Sequence, residues 1–351
     1  TGAYVPEKIV TNDDLSTMVE TSDEWIVQRV GVKERRVSVN ETAADFGVKA
    51  AKKALESAGI SAEELDLIIV STITGETLCP TTAAIIQKEI GATCPAFDMQ
   101  SACSGFMFAL DTADAFISRG QGYKKVLVIA TERMSKIIDW TDRSTCVIFG
   151  DGAGAAVVTE GDGYLASSLF TKGDEEVLFI PSCTKNSPFY ENEYADTKVF
   201  MNGSETFNFA VRKIVDDIKG VAEKAGIEIS DIDYVVPHQA NTRIISYASK
   251  RLKLPMEKFV VDIDKYGNTY TTQCSTFTIF KNTATNNSNI LDISSQPVNA
   301  SAAIGSTVKT SVTATGEGLK YQWYVKNPGS TMFTKSSVTS STYSYSMTSA
   351  K

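Results

Sequence analysis

A chain of 351 residues, 42% of them hydrophobic, is long enough to bury cores in two or three domains. A formal net charge of -8 excludes a broad nucleic-acid surface and leaves room only for local basic patches. The apolar runs are too short to span a membrane, and six cysteines without a CxxC pair argue against a disulfide framework or a zinc site and for a reducing, cytoplasmic setting.

No basic-then-apolar leader follows Thr1. Residues Ala43–Ala58 read as a helix, and Leu67-Ile68-Ile69-Val70 reads as a short strand buried on both faces. A second helix is predicted over 104–118, and Val126-Leu127-Val128-Ile129 repeats the buried-strand pattern. The glycine-rich stretch 149–154 lacks the Gly-Lys-Ser/Thr ending of a phosphate loop and the GxGxxG spacing, so it predicts a tight backbone passage into a strand at 155–158. A long helix follows over about 204–225, where Phe207, Val211, Ile214, Ile218 and Val221 recur every three or four residues along one face. Alternating strand and helix signals of this kind predict an α/β layered fold.

The pattern repeats within the chain. Ala58-Gly59-Ile60 leads to Leu65-Asp66-Leu67-Ile68-Ile69, and Ala225-Gly226-Ile227 leads at the same spacing to Ile232-Asp233-Tyr234-Val235-Val236. In both, a helix stops at a glycine suited to a left-handed cap, and a strand is expected next. A second match aligns Phe97-Asp98-Met99 with Val261-Asp262-Ile263. Two copies of one α/β unit are therefore predicted, the second incomplete. After Thr269 the composition changes: only eight of the last 82 residues are charged, 30 are Ser or Thr, and helical periodicity gives way to short β-prone runs such as 276–280 and Tyr321-Gln322-Trp323-Tyr324-Val325. The predicted division is an N-terminal half at 1–160, a C-terminal half at 161–269 and a β-rich segment at 270–351.

Three residues are candidates for chemistry. Cys103 falls where a strand ends and a helix begins, and a thiol there feels the positive end of the helix dipole, which favours the thiolate; a small core cysteine fits the position equally. His238 is the sole histidine and sits past the predicted strand around Val235, where open α/β sheets place ligands. Asn268, within Gly267-Asn268, suits a turn, but the second internal match sets it near the place in copy two that Cys103 holds in copy one. Arg243, Lys250 and Arg251 fall on one face of a predicted helix, either an ordinary solvated face or a docking patch for an acidic partner.

Several strings together resemble the β-ketoacyl-acyl-carrier-protein synthase III family. They are Thr21-Ser22-Asp23-Glu24-Trp25-Ile26, Ser101-Ala102-Cys103-Ser104-Gly105-Phe106, Thr141-Asp142-Arg143, Phe149-Gly150-Asp151-Gly152-Ala153-Gly154, Val236-Pro237-His238-Gln239-Ala240-Asn241 and Gly267-Asn268-Thr269. The likeness runs from residue 1 to about 269. It implies the thiolase fold, two βα halves about a pseudo-two-fold axis, and a homodimer. It implies that Cys103 is acylated by a short acyl-CoA primer. His238 and Asn268 would then hydrogen-bond the thioester carbonyl of malonyl-acyl-carrier protein as it loses CO₂. Neither a metal nor a redox cofactor is implied. Trp25 and Arg143 match positions that hold the CoA adenine, Arg29 matches another CoA contact, and Arg243, Lys250 and Arg251 match a helix that docks the carrier protein.

The sequence departs from the family in two places. Cys79 precedes Pro80 where an aromatic residue is common near the acyl pocket. After Thr269 the family continues with a helix and two strands carrying a Gly-rich turn, which are not recognisable here, so a chain of this composition is expected to fold or work poorly. Instead Leu319-Lys320-Tyr321-Gln322-Trp323-Tyr324-Val325-Lys326-Asn327 resembles the central strand of bacterial immunoglobulin-like surface repeats. The phrase Asp264-Lys265-Tyr266-Gly267-Asn268-Thr269 fits both families, and a junction there is expected. Two other readings stay open from sequence: a surface-associated binding protein acting through the tail, and another thiolase-fold acyltransferase using the same Cys and His.

Overall fold

The computed structural model describes residues 1–181, 189 and 198–269, and beyond them the backbone of short strands between 277 and 346. From Thr1 the chain runs through β1 (Gly2–Tyr4), β2 (Ile9–Thr11), α1 (Asn12–Ser16), α2 (Asp23–Arg29), β3 (Glu34–Arg36), α3 (Ala43–Ala58) and β4 (Leu67–Ser71). It continues with α4 (Thr82–Ile90), β5 (Ala96–Met99), α5 (Gly105–Ser118), β6 (Lys125–Glu132), α6 (Arg143–Cys146), β7 (Gly152–Thr159) and β8 (Tyr164–Ser168). Then come β9 (Leu178–Phe179), β10 (Phe200–Met201), α7 (Gly203–Ala225), α8 (Thr242–Leu252), α9 (Ile263–Tyr266) and β11 (Phe277–Phe280).

Five strands form one mixed sheet in the order β1-β7-β6-β4-β5. β4 lies parallel to β5 and β6, and β7 runs antiparallel to β6 and β1. Every residue of β4 is buried, and its successive side chains enter two different cores. Ile68 and Val70 pack with Phe46, Ala50 and Ile86 of α3 and α4, whereas Leu67 and Ile69 pack with Met107, Leu110 and Ala113 of α5. A strand covered by helices on both faces needs an unbroken apolar run, which is why Leu67 to Val70 show no alternation.

The predicted repeat has a structural counterpart. α3 ends at Ala58 with Gly59 at φ 67° and ψ 30°, and α7 ends at Ala225 with Gly226 at φ 67° and ψ 31°. Each glycine leads into a short 3-10 turn, Ala62–Glu64 in the first half and Ile229–Asp231 in the second. The halves then diverge. Val235 makes only an isolated parallel bridge with Phe259, covered by Ile214 and Ile218 of α7 and Ile245 and Ala248 of α8. Tyr234 and Val236 on either side are exposed. The segment matching Phe97-Asp98-Met99 forms no strand: Val261 and Asp262 lie outside regular structure and Ile263 opens α9. The Gln239 side chain takes the amide hydrogens of Asp262 and Ile263 at 3.1 and 3.3 Å, which a ladder would otherwise use.

The chain divides into two compact units, 1–281 and 282–351. In the first, β11 pairs antiparallel with β8, so the β-prone run expected over 276–280 contributes a strand there. In the second, Asp292–Ser295 pairs with Thr313–Thr315, Thr307–Ser311 with Thr342–Ser346, and Tyr324–Val325 with Thr334–Lys335, all antiparallel. The rest of the expected immunoglobulin-like segment lies outside the described residues. Among the described residues no helix is long and apolar enough to cross a membrane.

Candidate active site

β5 delivers the chain to the turn Ala102–Ser104, and α5 starts at Gly105, one residue later than predicted. Ala102 carries φ 43°, a left-handed conformation that a residue with a Cβ enters at a cost. Cys103 is half-buried, packed at the margin of the core formed by Ile26, Met134 and Phe149, and it opens onto a cavity of about 820 Å³. The same cavity is lined by His238, Asn268, Trp25, Arg29 and Arg243. Residues far apart in the chain, Trp25, Cys103, His238 and Asn268, therefore line one space.

The loop bearing His238 is fixed by its neighbour. Gln239 is 2% exposed, and its side-chain amide donates to the carbonyls of Pro237 and Val260 at 2.9 and 3.0 Å. With the two amides that its carbonyl oxygen accepts, Gln239 has a full set of partners and clamps the loop onto 260–263. In the sequence Gln239 stands out only as part of the string Val236-Pro237-His238-Gln239-Ala240-Asn241, which gives no sign of its clamping role.

Asn268 is held by its main chain. Its N–H donates to the carbonyl of Ile148 at 2.8 Å, its carbonyl accepts from the N–H of Gly150 at 3.0 Å, and Phe149 stands beside it as a parallel bridge. The glycine-rich stretch makes this possible. A Cβ on Gly150 would stand 2.4 Å from the carbonyl oxygen of Tyr266, and one on Gly267, at φ 65°, would stand 2.8 Å from that of Ile148. The stretch is thus a close backbone passage, as expected. Within it Asp151 is fully buried and accepts from the amides of Ser38 and Ser135 and the Ser135 hydroxyl; burial raises its pKa against those three bonds.

α2 and α8 meet at the mouth. Asn241 caps α8 with its side-chain oxygen on the Arg243 amide and donates its own amide to the Arg29 carbonyl at 3.0 Å. The Thr242 amide donates to the Val30 carbonyl at 3.0 Å. Trp25 carries the Arg143 guanidinium 4.8 Å from its ring centroid and that of Arg29 at 5.8 Å. Arg143 is anchored by a 2.7 Å bond to the Glu20 carbonyl. Arg243 lies over the Phe207 ring and reaches the cavity. Lys250 and Arg251 share its exposed side of α8 but do not line the cavity. Among the described residues no group of three His, Cys, Asp or Glu could hold a metal ion.

Comparison with known proteins agrees with this architecture. The family profile of 3-oxoacyl-[acyl-carrier-protein] synthase III matches residues 97–173, and the profile of its C-terminal part matches 222–290, past the Thr269 boundary inferred from motifs. The chain is 51% identical over 274 residues to the β-ketoacyl-[acyl-carrier-protein] synthase III of Clostridium acetobutylicum, covering 77% of this chain and 84% of that one. It is 47% identical to synthase III 1 of Bacillus cereus, covering 76% and 83%. The crystal structure of the Aquifex aeolicus synthase III superposes with a TM-score of 0.72 at 44% identity, over 78% of this chain and 85% of that one. With a cysteine, a histidine and an asparagine lining one cavity, and relatives of this closeness along most of their length, the chain belongs to the 3-oxoacyl-[acyl-carrier-protein] synthase III family.

Proposed function

We propose that the chain condenses a short acyl-CoA primer with malonyl-acyl-carrier protein, the step that starts a fatty acid. The observation that carries this reading is the convergence of Cys103, His238 and Asn268 on one cavity. The Cys103 thiolate attacks the acyl-CoA carbonyl, forms an acyl thioester and expels CoA as its thiolate, which takes a proton from solvent. Malonyl-carrier protein then binds with its thioester carbonyl between the His238 and Asn268 donors. Its carboxylate leaves as CO₂, the electron pair passes to the α-carbon, and the two donors stabilise the enolate oxygen. That carbon attacks the acyl thioester, the Cys103 sulfur departs, and 3-oxoacyl-carrier protein is the product. Each step moves an acyl group or CO₂, so the chemistry calls on neither a redox cofactor nor a metal.

The surrounding residues take supporting parts in the same reading. Trp25, Arg29 and Arg143 hold the nucleotide end of CoA at the cavity mouth. Arg243, Lys250 and Arg251 dock the acidic carrier protein on α8. The halves are 1–160 and 161–269, the enzyme works as a cytoplasmic homodimer, and Cys79 bears on primer choice. The Ser/Thr-rich segment 270–351 passes from family-like sequence, matched to 290, into a β unit with a likeness to immunoglobulin-like repeats, fused where the family has its last strands.

The test has two arms. The purified chain and its Cys103→Ala variant are incubated with acetyl-CoA and with a branched acyl-CoA, and intact mass is followed; acylation of the first alone is expected. Malonyl-carrier protein is then added to this chain and to one carrying the Clostridium acetobutylicum sequence after Thr269, with 3-oxoacyl product and CO₂ measured. Condensation by the second is expected to exceed that by the first. Acylation independent of Cys103, or no condensation by either chain, would overturn the reading.

A further inference from the structure

We infer that Arg35 is a positioning residue for Asn268, acting through the main chain of 147–150, and that it serves the condensation half-reaction rather than the loading of Cys103. The inference rests on the role proposed for Asn268 above.

Arg35, on β3, is 0% exposed. Among the described residues no carboxylate comes within ion-pairing distance of it. Burying a guanidinium without a counter-charge is costly, and burial pulls its pKa down to about 10. What it holds is main chain and an amide. Nη1 donates to the Val10 carbonyl at 3.0 Å. Nη2 donates to Asn12 Oδ1 at 2.8 Å and to the Val147 carbonyl at 3.0 Å. Three separate stretches, β2, α1 and the segment leaving α6, are thereby fixed to one rigid planar group.

The Val147 contact matters for the site. The next three residues carry Asn268: Ile148 accepts its amide, Phe149 bridges to it, and Gly150 donates to its carbonyl. The stem of Arg35 also walls the turn before it. A Cβ on Gly150 or on Gly267 would meet the Arg35 Cβ at 3.3 Å. Arg35 therefore sets both the height of 147–150 and the floor under Gly267, the two supports that decide where Asn268 sits. None of its hydrogen bonds reaches β5, the turn at Cys103 or α5. Displacing a reacting group's support by about 1 Å costs on the order of a hundredfold in rate, so a shift confined to Asn268 separates the two half-reactions.

The experiment follows both halves in Arg35→Lys, Arg35→Gln and Asn268→Ala. Acylation of Cys103 by acyl-CoA is read by mass, CO₂ release from malonyl-carrier protein by the acylated enzyme is read directly, and thermal unfolding identifies the folded fraction. To obtain full turnover, all variants are made with the relative's C-terminal sequence after Thr269. Both Arg35 variants are expected to load Cys103 within about twofold of the parent while CO₂ release falls about tenfold or more, in step with Asn268→Ala. Equal loss in both halves, or no loss in either, overturns the inference. Unchanged CO₂ release in Asn268→Ala overturns the role of Asn268 and the inference with it. If neither Arg35 variant folds, Asn12→Ala decides: it removes one acceptor of Nη2, and the absence of the same split refutes the proposal.

Discussion

Gly105 and Ser71 touch so closely that a Cβ on Gly105 would stand 1.7 Å from the Ser71 hydroxyl and 2.9 Å from its Cβ. This contact joins the end of β4 to the first residue of α5, two positions past Cys103. Gly105→Ala is expected to push the start of α5 off the sheet, lowering stability by about 1–3 kcal/mol as overpacking does. Cys103 acylation should slow by about tenfold or more, because the thiol moves with the helix. The double variant Ser71→Gly, Gly105→Ala restores the space and should recover most of both. Urea unfolding and acylation kinetics check this; a single variant with unchanged acylation would contradict it.

Ala102 holds the turn before the thiol at φ 43°. Ala102→Gly relieves about 1 kcal/mol of backbone strain but loses about as much through a freer unfolded chain, so its melting temperature should scarcely move. Ala102→Val brings a β-branched side chain into the same conformation and should lose about 2 kcal/mol or more. Thermal melts of the two variants test the pair; equal stabilities would show that the turn relaxes out of the left-handed region.

The Arg143 guanidinium on the Trp25 ring is an exposed cation–π contact, worth about 0.5–1 kcal/mol to the fold. In the function proposed above, the same pair would hold the CoA end of the primer. Arg143→Ala should raise KM for acyl-CoA by about tenfold with kcat nearly unchanged, the pattern of lost uniform binding. Steady-state kinetics over a range of acyl-CoA concentrations separates the two constants. A fall in kcat alone would place Arg143 in the chemistry instead.

Glu132 is buried at the end of β6, where its carboxylate accepts from the Ile73 amide at 2.9 Å and from the hydroxyls of Thr72 and Thr74. Burial outweighs those bonds and pushes its pKa up from 4.5 to about 7. Between these values the folded chain keeps a proton that the unfolded chain has released. Stability therefore falls as pH rises through that window, and the loss is complete above about pH 7. Glu132→Gln removes the titrating group, and its urea midpoint should decline less between about pH 5 and pH 8 than that of the parent. An identical decline in both proteins would show that Glu132 does not hold a proton in the fold.

Much of the site could be read from local signals. The ends of α3 and α7 were legible because a left-handed cap selects glycine at one position, and Gly59 and Gly226 both take it. The buried strands were legible because a central parallel strand admits no polar alternation. Cys103 was legible as a residue at a strand-to-helix turn, though only the cavity distinguishes it from a core cysteine, and it shares that cavity with His238 and Asn268.

Sequence alone pointed to the family, the principal helices and the three candidate reacting residues, through short local motifs and, for Asn268, an internal repeat. Tertiary structure alone decided what distant neighbours do to one another. It sank Arg35 to full burial beneath Asn268, gave Gln239 the amides of 262 and 263, and turned Arg243 to the cavity while leaving Lys250 and Arg251 outside it. It also joined β11 to β8 across more than a hundred residues of chain. The physical reason is that a hydrogen bond or an apolar contact depends on distance in space, and spacing along a chain encodes that distance only within one helix, strand or turn.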